Sequence, residues 1–191
     1  MKKLIVKSRL LDENRFTTQI ADIGRELTPV IWQHERVYVP HDYREGQNLP
    51  RLITRTEVRD TNMPAIYSLH LKRHIEDSGL DWVNVTKVSD YNETSGIIHQ
   101  LGFQKVAEIS RQRRELMLDE RTVIYLDRVE GLNEAFLKIE ADLEEGEPID
   151  ALRQDLFKIL EMLGQKTFVM ETYANLTAHN GAAQEYLLPE Q

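Results

Sequence analysis

The chain has 191 residues, 41% of them hydrophobic, no cysteine and a formal charge of −8. That length can bury one core or two fused half-units, and the missing cysteines exclude disulfides and thiolate metal sites, as expected of a reducing cytoplasm. The acidic balance weighs against a partner such as duplex nucleic acid. No apolar run reaches the roughly 18 residues of a membrane span, and the charge-interrupted start, Met1 to Lys7, does not read as a signal peptide. The expectation is a soluble cytoplasmic protein that binds neither a membrane nor a duplex.

Lys3 to Leu10 alternates apolar and basic residues and reads as a strand. Asp12 caps a predicted helix over Glu13 to Arg25, with Phe16, Ile20 and Ile23 at helical spacing and Gly24 near its end. Strands follow over Val30 to Val39, Arg51 to Val58 and Ile66 to His74. An Asp77-Ser78-Gly79 turn then leads into a strand over Trp82 to Val88. Asp90 caps a second helix that ends at Leu101-Gly102. Further strands are predicted from Phe103 through Ile109 to Leu118, over Arg121 to Asp127 and over Ala135 to Leu143. A helix from Ile149 to Leu163 carries Leu152, Leu156, Ile159 and Leu163 on one face. Residues 1–176 read as a single domain and 177–191 as a frayed tail.

Asp12, Ile20, Gly24 and Arg36 each stand 78 positions before Asp90, Ile98, Gly102 and Arg114. Each half therefore reads as strand, capped helix, glycine and mainly antiparallel strands, which predicts an α+β fold whose sheet closes on itself from two similar halves. The charges divide unevenly. Acids crowd Glu140 to Asp150, while Arg and Lys recur within the strands. Along Phe136 to Glu140, Phe136, Lys138 and Glu140 share one face and Leu137 and Ile139 the other. A basic interior in an acidic protein suits a small polyanion.

Several motifs, in order, resemble the CYTH superfamily, which includes class IV adenylate cyclases and thiamine triphosphatases. They are Lys3-Leu4-Ile5-Val6-Lys7 at the position of Glu-x-Glu-x-Lys, Arg51-Leu52-Ile53-Thr54-Arg55, His70-Leu71-Lys72 and Leu101-Gly102-Phe103. Arg111-Gln112-Arg113, Leu126-Asp127-Arg128-Val129-Glu130-Gly131-Leu132, Lys138-Ile139-Glu140 and Thr172-Tyr173 continue the series. The resemblance implies a closed or nearly closed eight-stranded antiparallel barrel, a tunnel with flanking helices. Its basic side chains would grip a triphosphate or nucleotide, and its glutamates would hold Mg²⁺ or Mn²⁺. On that basis Lys7, Arg9, Arg55, Lys72, Arg111 and Arg113 are the candidate phosphate ligands, since Arg forks and Lys point charges best hold phosphate oxygens.

The acids are depleted. Lys3, Ile5 and Lys138 stand where the family places carboxylates. Glu140 and Asp127 are the candidate metal ligands, with Glu57 or Glu115 as substitutes, and His70 with His74 lacks a third ligand. Hard divalent ions need several oxygens, so Mg²⁺ or Mn²⁺ is expected to bind weakly and no other cofactor is called for. The favoured expectation is a phosphorylated-ligand binder with weak or no metal-dependent turnover. The alternative is an active class IV adenylate cyclase or triphosphatase using Mg²⁺ or Mn²⁺, and a third reading is a structural barrel used for protein contacts.

Overall fold

The computed structural model describes residues 1–44, 47–75 and 80–189, so the expected turn at Asp77-Ser78-Gly79 lies outside the described residues. Strand β1 (Lys2–Leu10) sets the pattern of the sheet. Leu4, Val6 and Leu10 turn outward into the main apolar core, which leaves Lys3, Ile5, Lys7 and Arg9 on the opposite face. Helix α1 (Glu13–Asp22) follows, and then strands β2 (Ile31–Pro40), β3 (Arg51–Val58), β4 (Ile66–Ile75) and β5 (Leu80–Lys87). The second series is helix α2 (Tyr91–Gln100) with strands β6 (Phe103–Met117), β7 (Thr122–Val129) and β8 (Ala135–Asp142). Helix α3 (Ile149–Met162), strand β9 (Thr167–Val169), helix α4 (Tyr173–Ala178) and strand β10 (Glu185–Leu187) complete the chain.

The eight strands β1 to β8 form a closed antiparallel barrel in the order β1-β5-β4-β3-β2-β6-β7-β8. Exchanging the two series, β1 for β5 and so on, reproduces the same circular order. The repeat seen in the sequence is therefore a repeat in space. Asp12 accepts from the Arg15 amide at 2.9 Å and Asp90 from the Glu93 amide at 2.8 Å, each capping its helix. Ile20 and Ile98 are both buried, and Gly24 and Gly102 both take the left-handed φ that ends their helices. That glycine explains why α1 stops at Asp22 rather than reaching Arg25.

Closure is uneven. β1 pairs with β8 from Lys3 to Leu10, but with β5 only through Lys2, Lys3 and Leu4. Beyond Trp82, β5 has no β1 partner, and along its inner face Val83 is buried while Val85 is exposed. Two apolar clusters hold the fold. The larger lies outside the barrel, where Leu4, Val6, Ile124, Leu126, Leu137 and Ile139 pack under Phe16 and Ile20 of α1 and Leu152, Leu156 and Leu160 of α3. The smaller lies inside, where Val37, Ile53, Ile109, Val129 and Phe136 meet Val169, Tyr173 and Leu176.

The segment expected to be a tail is partly built into this second cluster. α4 runs to Ala178, and Glu185 to Leu187 pair antiparallel with β9. Strands of three residues carry no periodicity for a sequence reading to find.

Replacing Asp90 by alanine should cost about 1 kcal/mol and lower the melting temperature by roughly 2–4 °C. Asp12→Ala should do the same, and a melt unchanged in both would show that the caps do not stabilise the helices.

Candidate functional site

Partners in an antiparallel pair point to the same side of the sheet, so the register identifies the barrel interior. Across β1 and β8, Lys3 faces Asp142, Ile5 faces Glu140, Lys7 faces Lys138 and Arg9 faces Phe136. Across β3 and β4, Arg51 faces Lys72 and Ile53 faces His70. Arg111 faces Gln33 and Val129, while Arg113 faces Ile31 and Asp127. Lys7, Arg9, Arg55, Lys72, Arg111 and Arg113 therefore all project inward, joined by Lys3, Arg51 and Lys138. The register of the Arg51-to-Arg55 strand puts both arginines on the inner face.

Most of these cations already hold an acceptor. Arg113 forks onto Asp127, with Nε to Oδ1 and Nη2 to Oδ2 both at 2.6 Å, and Tyr173 donates its hydroxyl to the same carboxylate at 2.8 Å. Arg111 donates to Gln33 at 2.8 Å and to Glu35 at 2.5 Å, and Arg55 shares Glu35. Lys138 donates to Glu140 Oε1, while Lys3 lies 3.6 Å from Glu140 Oε2 and 3.5 Å from Asp142. Lys7 donates to the Glu171 carbonyl and sits over the Tyr173 ring, 4.7 Å from its centroid. Arg9 is turned to the C-terminal segment, where it holds the Gly181 carbonyl, Glu134 and Glu185.

Lys72 and Arg51, which face each other across β3 and β4, differ. Both are half-buried on the inner face, and neither makes a hydrogen bond or ion pair among the described residues.

Burial and charge act together on this cluster. Burial drives the Lys7 ammonium down to about 7, and Lys138 directly opposite adds to the effect. Burial likewise lowers Lys138 to about 8, against the pull of Glu140. Burial raises Asp127, but Arg113 overrides it and holds the carboxyl at about 2. Burial also raises Glu35, which Arg111 and Arg55 hold well below the carboxylate range. His70 is pushed to about 3 by burial and then by Arg55, so it is neutral, with Nε2 2.9 Å from the Ser68 hydroxyl.

The divalent ion that the family resemblance implies does not fit these residues. Both oxygens of Glu140 face lysines, and Asp127 is saturated by Arg113 and Tyr173. Glu57 and Glu115 are both drawn to Arg59, at 2.5 and 3.5 Å, and Glu57 also accepts from Gln33. His74 pairs with Asp81 at the rim, away from a third ligand. Among the described residues, no three His, Asp or Glu side chains converge on a point a metal ion could occupy.

The sequence reading missed Glu35, Gln33 and Tyr125 as members of this interior. Glu35 and Gln33 share the inner face of β2 with Ile31 and Val37, but they lie in the continuous polar run Gln33-His34-Glu35-Arg36, so no alternation in the sequence marks which of them point inward. Tyr125 stacks under Arg113, its centroid 4.0 Å from the guanidinium carbon. A surface cleft of about 310 Å³ beside Leu10 and Glu134 reaches the acceptor of Arg9 but none of the inward cations, and one of about 360 Å³ is lined by Arg73 and Trp82.

The CYTH domain model matches residues 57–173. No curated protein matches the sequence. Among solved structures, the PH1819 protein of Pyrococcus horikoshii OT3 superposes with a TM-score of 0.80 at 19% identity, over 93% of this chain and 98% of that one. A Vibrio parahaemolyticus protein named as a candidate adenylate cyclase superposes at 0.70 with 14% identity, over 85% and 88% of the two chains. A Hippeastrum protein named as a candidate adenylyl cyclase with a dominant triphosphatase activity superposes at 0.60 with 14% identity, over 95% and 97%. At these identities the structural likeness is one of fold, and the family match covers more than half of the chain. The chain belongs to the CYTH domain family.

Proposed function

We propose that this CYTH-domain protein binds a triphosphate or another small phosphorylated ligand inside the barrel, with weak or no metal-dependent turnover. The observation that supports the reading is the pair of Arg51 and Lys72, two inward cations that face each other with no hydrogen bond or ion pair among the described residues. An unpaired ammonium on a half-buried face is unfavourable until an anion meets it. Arg55, Arg111 and Arg113 support the site through their field while holding Glu35 and Asp127 in place. Arg9 anchors the C-terminal segment. The triphosphatase activity in the name of the Hippeastrum neighbour fits a polyphosphate ligand.

Turnover is tested by steady-state release of phosphate from inorganic triphosphate and ATP, together with formation of cyclic nucleotide, under Mg²⁺ and Mn²⁺. The reading expects rates near background alongside saturable binding. Robust metal-dependent turnover, abolished by Glu140→Gln, would instead establish an active cyclase or triphosphatase.

Binding should also depend on pH. Lys7 titrates at about 7 and Lys138 at about 8, so both lose charge as pH rises from about 6.5 to about 8.5, and affinity for inorganic triphosphate should fall. Lys7→Arg, which stays charged, should flatten the lower part of that profile. Stability moves the other way. The folded-state value of Lys7 lies below its ordinary 10.5, so the unfolded chain binds the extra proton between about 7 and 10.5 and stability rises with pH through that window. Calorimetry and urea melts across the range check both signs.

A further inference from the structure

We infer that the Lys3–Glu140–Lys138 cluster takes the place of a divalent cation, so that the barrel accepts its phosphorylated ligand as the free polyanion rather than as a Mg²⁺ complex. The inference rests on the binding reading above and names the form of ligand that the site takes.

The geometry carries it. Glu140 lies on the inner face opposite Ile5, with Lys138 on one carboxylate oxygen and Lys3 on the other. Lys3 reaches Asp142 as well, so the two acids of this strand end are both occupied by ammonium groups. A metal ion entering here would have to displace two lysines from their carboxylates and then sit beside their charges, and like charges at such distances repel strongly in a poorly solvated site. The same ammonium groups provide what a metal provides to a phosphate chain, a positive charge held at a fixed place.

The remainder of the cluster points the same way. Lys7 and Lys138 are direct cross-strand partners, a like-charge arrangement that Glu140 on Lys138 and the Glu171 carbonyl on Lys7 relieve only in part and that an anion lying between them relieves further. Lys72 projects into the same interior from β4 and its charge is felt by both Lys138 and Glu140, so it adds to the positive field at this pair. A ligand with its full negative charge engages all three lysines. One already neutralised by Mg²⁺ gives up part of that attraction and brings a cation toward Lys3 and Lys138.

The test is calorimetry of the full chain with inorganic triphosphate, first in EDTA and then in excess Mg²⁺. The expected result is binding in EDTA that weakens by about tenfold, the equivalent of one charge-assisted contact, when Mg²⁺ is added. Lys138→Glu should lose binding in EDTA and recover it with Mg²⁺. Lys3→Gln, at the less buried end of the cluster, should weaken binding in EDTA and reduce the penalty that Mg²⁺ imposes. Circular dichroism on each variant confirms the barrel. Wild-type binding that requires Mg²⁺ or is tightened by it would overturn this inference and leave the binding reading standing. Binding in neither condition would overturn both.

Discussion

Replacing Asp127 by alanine is expected to destabilise the protein by about 3–5 kcal/mol, the usual consequence of leaving one member of a buried ion pair without its partner. Asp127 is fully buried and accepts both arms of the Arg113 fork together with the Tyr173 hydroxyl. Truncation leaves the Arg113 guanidinium without this carboxylate in a site from which water is excluded. Tyr173→Phe removes a single bond to the same carboxylate and should cost about 1 kcal/mol, so the two variants separate the ion pair from the hydroxyl. Urea unfolding monitored by tryptophan fluorescence measures both. A loss below about 1 kcal/mol for Asp127→Ala would mean that Arg113 finds a new partner or a hydrated path, and that the pair is not a keystone of the interior.

The second large effect belongs to Lys72. Lys72→Ala should weaken binding of inorganic triphosphate about tenfold or more, in line with about 1.5–3 kcal/mol for a hydrogen bond to a charged group. The same variant should change stability little, because Lys72 makes no hydrogen bond or ion pair among the described residues and acts on Glu35 and Glu140 only through its field. This combination is diagnostic. Arg113→Ala would also reduce binding, but through a damaged fold, whereas Lys72→Ala changes affinity alone. Raising the salt concentration should weaken wild-type binding further, by screening the cluster. Unchanged affinity in Lys72→Ala would remove this lysine from the site.

Much of the architecture is legible in the chain because barrel strands alternate strictly. β3 has the ends that its alternation predicts, Arg51 and Val58, and the cap pairs Asp12 with Asp90 and Gly24 with Gly102 mark the repeated half-units in the sequence itself. The shared direction of the basic residues is legible for the same reason, since residues two apart lie on one face. Partner choice is not. Arg111 meets Glu35 across 76 positions and Lys7 meets the Glu171 carbonyl across 164, and nothing local announces either contact. The C-terminal elements are hidden for a related reason. β9 and β10 are three residues each and are defined by each other and by the barrel they cover. The missing acids at positions 3, 5 and 138 are visible in the sequence. That two of the replacements close onto Glu140 from both sides follows only from the barrel.

The most direct test of the central claim is a crystal structure of the protein grown with inorganic triphosphate in EDTA. Phosphate density is expected inside the barrel, within hydrogen-bonding distance of the Lys72 and Lys138 ammonium groups, with Asp127 still held by Arg113. Triphosphate bound instead on the outer wall beside Arg73 and Trp82, or inside only when a divalent ion sits on Glu140, would contradict it.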